Sequence, residues 1–257
     1  MSLKGKIAWV TGAGTGIGEA AALALAREGV TVALTGRRPE PLQSVAERVT
    51  KAGGKAMVAP GDLRHPEGPE KIAARIKAEF GRLDILVNNA GDNVAERSWE
   101  RLNAERIEHV IDSNLTSAFY CAKAALDIMR PQKDGVLIHT ASWSGRYVSP
   151  LAGPAYVAAK HGQVAMSHMI NAEEFINGIR SSVLCPGEVA TPILNNRPIP
   201  VTQEQRDAMI QPEHMADLIV YIAKLPPTIC MNEVLISPVW NRTYAALQTL
   251  KAPSRAG

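Results

Sequence analysis

Aromatic residues make up only 5% of this 257-residue chain, and cysteine occurs three times. Cys121, Cys185 and Cys230 stand far apart with no Cys-x-x-Cys pair. That spacing argues against a disulfide framework and the common zinc modules, and implies reduced, buried thiols in a cytoplasmic protein. No apolar run approaches the roughly 20 residues that a membrane helix needs. Nor is there a signal peptide: Lys4-Gly-Lys-Ile-Ala-Trp-Val10 has no apolar region with a cleavage site, and reads as a strand. Neither sign of charge prevails. The 28 Lys and Arg against 25 Asp and Glu leave +3, too little to mark a nucleic-acid or membrane-surface protein. Repeats, charge blocks and low-complexity linkers are absent as well.

What is present is alternation. Short runs rich in Val, Ile and Leu fall at 7–10, 30–34, 55–59, 83–87, 136–140, 182–184 and 233–236. Between them, amphipathic stretches at 17–28, 39–52, 67–80, 99–129, 155–177 and 212–224 read as helices. Strand–helix alternation implies right-handed crossovers and a parallel sheet covered on both faces. Strands that are apolar throughout fit burial from both sides. The expected fold is α/β: one Rossmann-type doubly wound parallel sheet of about seven strands, a single dinucleotide-binding and catalytic domain over residues 1–257. The least regular stretch, 188–211, holds prolines at 192, 198 and 200 and reads as a substrate lid. The tail, 239–257, mixes Trp240, Tyr244, Leu247 and Leu250 with polar residues. It is compatible with packing on a partner subunit or with disorder.

The first strand runs into Thr11-Gly-Ala-Gly-Thr-Gly-Ile-Gly18, which opens a helix. Glycines there let the backbone approach a pyrophosphate, and the helix start offers free N–H groups and partial positive charge. Gly12, Thr15, Gly16, Ile17 and Gly18 are the candidate cofactor contacts. An acid near the end of the second strand would hold a ribose 2′-hydroxyl. The chain has Thr35-Gly-Arg-Arg38 instead, so Arg37 and Arg38 suit a 2′-phosphate, and NADP is expected with NAD as the alternative. Solvated loop arginines are the competing reading. Asp62 is placed either to accept from an adenine amino group or to cap a loop.

Tyr156 and Lys160 are four residues apart and share a helix face. A free phenol, with a pKa of about 10, is a poor acid–base group at neutral pH. A nearby ammonium favours the phenolate, so Tyr156 is expected to have a lowered pKa and to exchange a proton with a ketone or alcohol. Ser142, at the end of the fifth strand, would hydrogen-bond the same substrate oxygen.

Together the Gly-rich turn, Asn88-Asn-Ala-Gly91, Asn114, Ser142 and Tyr156-Val-Ala-Ala-Lys160 resemble a short-chain dehydrogenase/reductase over nearly the whole chain. The resemblance implies hydride transfer between a nicotinamide cofactor and a small-molecule carbonyl or alcohol. It makes Tyr156 the acid–base and has Lys160 hold the nicotinamide ribose. Asn114 would hold a water linking Lys160 to solvent. Leu63 beside Asp62, Asn89, Ala90 and Gly91 would line the adenosine half. Pro186, Gly187, Val189 and Thr191 would lie beside the nicotinamide. It also implies a homotetramer, with a dimer as the alternative, built on the 99–129 and 155–177 helices. Ser142 lies 14 residues before Tyr156, one more than the family pattern, so Ser144 is a rival. The last strand, Asn232-Glu-Val-Leu-Ile-Ser-Pro238, lacks the usual Gly-Asp-Gly and resembles reductases of small hydroxy compounds. A 3-oxoacyl-carrier-protein reductase and a non-catalytic dinucleotide-binding regulator are the alternatives. The second would normally lack Tyr, Lys or Ser, and all three are present. No metal ligands at suitable spacing accompany His161 or His168. His139 reads as a satisfied core residue and Arg146 as a solvated loop residue. Asp92–Ala95 and Trp143–Leu151 are expected to wall the substrate pocket.

Overall fold

All seven apolar runs form strands: β1 (Ile7–Thr11), β2 (Thr31–Thr35), β3 (Lys55–Val58), β4 (Ile85–Asn88), β5 (Gly135–Thr140), β6 (Ile179–Pro186) and β7 (Glu233–Ile236). They build one parallel sheet in the order β3-β2-β1-β4-β5-β6-β7. The computed structural model describes residues 1–197, 200–241 and 244. Pro198 of the lid and Leu247 and Leu250 of the tail lie outside the described residues.

The five inner strands bury both faces, which is why their sequences are apolar without alternation, whereas the edge strands β3 and β7 are only partly buried. On one face Ala8, Val10 and Leu34 meet α1 (Gly16–Arg27), α2 (Pro39–Lys51) and α8 (Pro212–Lys224). On the other, Ile7, Trp9 and Leu137 meet α3 (Glu67–Phe80), α5 (Ser117–Gln132) and α6 (Pro154–Glu174). Each fully buried Leu, Ile or Val contributes roughly 1.5–3 kcal/mol. Trp9 is wholly buried, and its Nε1 donates to Thr35 Oγ1 at 3.0 Å, so its polar atom is satisfied.

Two elements differ from expectation. β6 is eight residues long rather than three. Its first half, Arg180-Ser181-Ser182, is polar yet buried. The Ser181 hydroxyl bonds Ser167 at 2.7 Å, and Arg180 Nη1 donates to the carbonyls of Leu225, Pro226 and Ile229. The helix expected from residue 99 begins only at α4 (Ala104–Ile111), capped by the Asn103 side chain. It then loosens into a π turn, Asp112–Thr116, before α5. Within the lid lie a 3₁₀ turn, Pro192–Asn196, and α7 (Gln203–Asp207), which has a Thr202–Gln205 capping box. Among the described residues no helix is long and apolar enough to cross a membrane, and no cluster of metal-ligating side chains occurs.

The strand order reverses at β1 and β4, and the carboxyl ends of β1, β4, β5 and β6 open onto one cleft. That is where ligands bind in open α/β sheets.

Candidate active site

β1 ends at Thr11, whose hydroxyl accepts from the backbone N–H groups of Asn89 and Ala90, each at 2.9 Å. The chain then turns at Gly12, with φ +63°, where a Cβ would stand 3.0 Å from Asn89 Nδ2 and 3.1 Å from Ala90 Cα. A side chain there would fill the cradle and press on the neighbouring loop. Thr15 precedes α1 without a side-chain cap, so the first N–H groups of the helix face the cleft. This is a fit for a pyrophosphate. Gly18 differs from expectation. It lies outside the cleft lining, and a Cβ there would strike the Gly12 carbonyl. Its lack of a side chain permits the turn to close.

Beyond the cradle, a cavity of about 410 Å³ is lined by Gly36, Arg37, Arg38, Asp62 and Leu63, joined by Arg64. No carboxylate stands at the end of β2. Arg37 and Arg38 are exposed, and Arg37 Nη2 is 3.6 Å from Asp92 Oδ2. Asp92 thus belongs to this end of the cleft and not to a substrate wall. The carboxylate of Asp62 receives Arg64 Nη2 at 2.6 Å and Nε at 3.1 Å. The Arg64 hydrogen bonds hold that carboxyl down, at about 2. Arg64 escaped notice in the sequence. Its backbone N–H on Asp62 Oδ1 is an Asx turn, so the Asp-x-Arg spacing was the available signal.

The second cavity, about 880 Å³, shares Gly12, Thr15, Ala90 and Gly91 with the first and continues over β5 and β6. Asn114, Ser142, Tyr156, Lys160, Pro186 and Thr191 line it, as do Ile17 and Val189. Ser142 caps a short 3₁₀ turn, its Oγ accepting from Ser144 N at 3.1 Å, and a hydrogen bond joins the Ser142 and Tyr156 hydroxyls. Ser144 lines the same cavity but is more deeply buried, at 6% exposed.

The electrostatics of Tyr156 depart from expectation. Desolvation pushes the phenol above its ordinary value, while the Ser142 hydrogen bond and the charges of Arg97 and Arg197 pull it back only in part. Lys160 explains why. It is 3% exposed, and its Nζ donates to the Thr140 carbonyl at 2.9 Å and to Gln163 Oε1 at 3.0 Å. Burial drives that ammonium down to about 7, so much of its charge is lost at neutral pH.

Asn114 sits in the π turn. Its Nδ2 donates to the carbonyls of Asp92 and Val110, at 2.7 and 2.8 Å. Its own main-chain carbonyl accepts from Gln163 Nε2 at 2.7 Å. A π turn frees such a carbonyl from the helical ladder, and π turns recur at functional sites. The Gln163 side chain thereby bridges the Asn114 carbonyl and Lys160 Nζ. Gly91 closes the space, since a Cβ there would lie 2.6 Å from Asn114 Oδ1 and 3.5 Å from Lys160 Nζ.

Other residues also depart from expectation. His139 is wholly buried with neither ring nitrogen hydrogen-bonded, so it is not a satisfied core histidine. Arg146 pairs with Glu233 of β7 instead of standing free in solvent. The described part of the tail returns over its own chain: Asn241 lines the cavity, and Tyr244 meets Trp143 edge-on at 6.1 Å. Cys121 and Cys185 are buried thiols, but Cys230 is partly exposed.

A dinucleotide cradle opening onto a Ser–Tyr–Lys cluster defines the class as a nicotinamide-dependent oxidoreductase. The family model for short chain dehydrogenases matches residues 6–200. A 3beta-hydroxysteroid dehydrogenase of Mediterraneibacter gnavus is 35% identical over 188 residues, 73% of this chain and 67% of that protein. An uncharacterized oxidoreductase of Staphylococcus aureus is 33% identical over 238 residues, 92% of this chain and 99% of that one. Among solved structures, an alcohol dehydrogenase from the archaeon Thermococcus sibiricus, complexed with 5-hydroxy-NADP, superposes with a TM-score of 0.83. It is 28% identical and covers 92% of this chain and 98% of its own. The chain belongs to the short-chain dehydrogenase/reductase family. It is a dehydrogenase acting on CH–OH groups with a nicotinamide dinucleotide cofactor.

Proposed function

We propose that this enzyme reduces a carbonyl to an alcohol with NADPH, Tyr156 serving as the acid. The observation that carries the reading is the Ser142–Tyr156 hydroxyl pair at the carboxyl end of β5, facing the cavity. Gly12, Thr15, Gly16 and Ile17 would hold the cofactor, which would supply a hydride to the carbonyl carbon. As the C=O π bond breaks, Tyr156 gives its proton to the oxygen, and Ser142 steadies the developing charge through a hydrogen bond. Desolvation keeps the phenol protonated at neutral pH, which suits a proton donor and hence the reductive direction. Lys160, held near neutrality in its own titration, returns a proton to the phenolate side, and Gln163 and Asn114 fix where its Nζ sits. Lys160 would also hold the nicotinamide ribose. Arg37 and Arg38 face the adenosine end without a competing acid on β2, which favours NADPH over NADH. Assembly as a homotetramer through the exposed faces of α5 and α6, where Phe119 and Met169 are half-exposed, belongs to the same reading.

The test is NADPH oxidation against a panel of ketones and aldehydes. Tyr156→Phe keeps the ring and removes the proton, so kcat falls by about 10²–10⁴-fold while NADPH affinity stays unchanged. Activity retained within about tenfold would refute the assignment.

A further inference from the structure

One charged group near Tyr156 has no use in the chemistry above. Arg97 lies in the loop between β4 and α4 and is only 8% exposed. Its main chain is clamped against Gly153, where φ is +80° and a Cβ would lie 2.6 Å from the Arg97 carbonyl oxygen. Gly153 is the residue before α6, so the guanidinium is held beside the first turn of the helix that carries Tyr156. Arg97 and Tyr156 line the same cavity, each close enough to alter the other's proton equilibrium.

Its partners are few. One Nη donates to the Asn196 carbonyl, and Nε is buried with no hydrogen bond. Among the described residues no carboxylate pairs with it. The charged residues lining this cavity are Arg97, Lys160, Glu188 and Arg197, and Glu188 receives Arg197. Lys160 is already near neutrality, so Arg97 leaves the cavity with one unbalanced positive charge. Other arginines differ: partly exposed Arg130 meets the carboxylate of Glu174, and Arg180, as buried as Arg97 and with its Nε likewise unbonded, gives Nη1 to three carbonyls and lines neither of the two cavities. A guanidinium does not shed its proton in a protein, and a desolvated, unpaired one is unfavourable unless an anion joins it.

We propose that Arg97 binds a carboxylate on the substrate, so that the enzyme acts on an oxo acid and its hydroxy acid rather than on a neutral ketone. The planar fork of a guanidinium matches a carboxylate edge to edge. A phosphate dianion would call for a second free cation, and Arg197 is committed to Glu188. Trp143, Leu151 and Ile193 supply an apolar wall for the carbon chain between the two ends. This assignment rests on the carbonyl-reductase reading and adds the substrate's charge.

Pyruvate, acetoacetate and levulinate, each paired with its methyl ester, test it. The two members of a pair share a ketone and differ in one charge. The wild type is expected to prefer the acids by about tenfold or more in kcat/KM, and Arg97→Met to lower that acid-to-ester ratio by about tenfold, chiefly through KM of the acid. Arg97→Lys keeps the cation without the fork and gives an intermediate ratio. It also serves if the Met variant loses its circular-dichroism spectrum. An equal loss on acid and ester would overturn the proposal, because Arg97 would then act through Tyr156. A wild-type preference for the esters would overturn it too. Calorimetric titration of glutarate, which has no ketone, into the NADPH-loaded enzyme separates binding from chemistry. Binding weakened by about tenfold in Arg97→Met supports the carboxylate site even if no probe is turned over, and in that case the reductase reading alone fails. Absence of glutarate binding to the wild type overturns the site.

Discussion

The two ends of the cleft treat positive charge in opposite ways. At the adenosine end Arg37 and Arg64 are solvent-accessible and lie against the carboxylates of Asp92 and Asp62. At the reaction end Lys160 and Arg97 are nearly inaccessible, and the partners they do have are carbonyls and an amide. An exposed ion pair is screened and contributes little, about 0–1 kcal/mol, so its arginine can turn to a bound phosphate at small cost. A buried cation facing neutral dipoles keeps its full desolvation penalty, and its charge becomes sensitive to whatever enters. One end is arranged to exchange partners, the other to be completed by ligand.

The sharpest test of the reaction end is the serine pair. Ser142→Ala removes the hydroxyl bonded to Tyr156 and should lower kcat by about 10²-fold or more. Ser144→Ala removes a more deeply buried hydroxyl of the same cavity that does not bond Tyr156, and should leave kcat nearly intact. Steady-state rates with the preferred substrate decide. If Ser144→Ala does the greater damage, the hydroxyl facing the cavity has been assigned to the wrong residue.

At the adenosine end the expected effect is smaller. NADPH should exceed NADH by about tenfold in kcat/KM, because Arg37 gains charge-assisted bonds to the 2′-phosphate. Gly36→Asp combined with Arg37→Ala adds an acceptor for a ribose hydroxyl and removes the cation, so the order should reverse. Equal kcat/KM values for the two cofactors, unchanged in the double variant, would mean that exposed, carboxylate-paired arginines select nothing.

A finer test concerns Gln163. Gln163→Leu leaves the Asn114 carbonyl and one Lys160 proton without their partner. The ammonium loses an acceptor, so its pKa, already about 7, moves further down. The pH–rate profile should shift to lower pH with a kcat loss of about 3- to 10-fold. Gln163→Glu places a carboxylate at Nζ and should shift the profile upward. Opposite shifts in the two variants mark electrostatic positioning of Lys160. A simple packing defect would lower kcat in both without moving the midpoint.

The contrast between the ends also explains what could be read in advance. The strands were legible because burial on both faces leaves continuous apolar runs. β6 was shortened because Arg180, Ser181 and Ser182 are buried polar residues whose partners lie on other elements. Tyr156, Lys160, Ser142 and Asn114 were legible because their chemistry resides in residue type and local spacing. Gln163 and Arg97 were not. Gln163 matters through a residue 49 positions away and Arg97 through one 99 positions away, and neither relation leaves a local pattern. The raised phenol of Tyr156 was missed for the same reason. Spacing places an ammonium one turn from it, whereas burial decides how much charge that ammonium keeps.

An effect absent at neutral pH lies behind the reaction end. His139 on β5 is wholly buried, and desolvation, then the charge of Lys160, pushes its imidazole down to about 3 from an ordinary 6.5. Between those values the unfolded chain binds a proton that the folded protein refuses. Acidification therefore favours unfolding, by about 1.4 kcal/mol for each pH unit below roughly 6.5 from this residue alone. Asp62, Asp84 and Glu174, whose carboxyls are held low by their partners, destabilise the fold on acidification in the same direction. The comparison must therefore be between wild type and His139→Leu at matched pH. Urea midpoints should differ by a fixed amount above pH of about 7, and the variant should gain on the wild type as pH falls toward about 4.5. A constant difference across that range would mean that the ring titrates alike folded and unfolded. The reaction end would then be wetter than its geometry implies, and the contrast with the adenosine end would narrow.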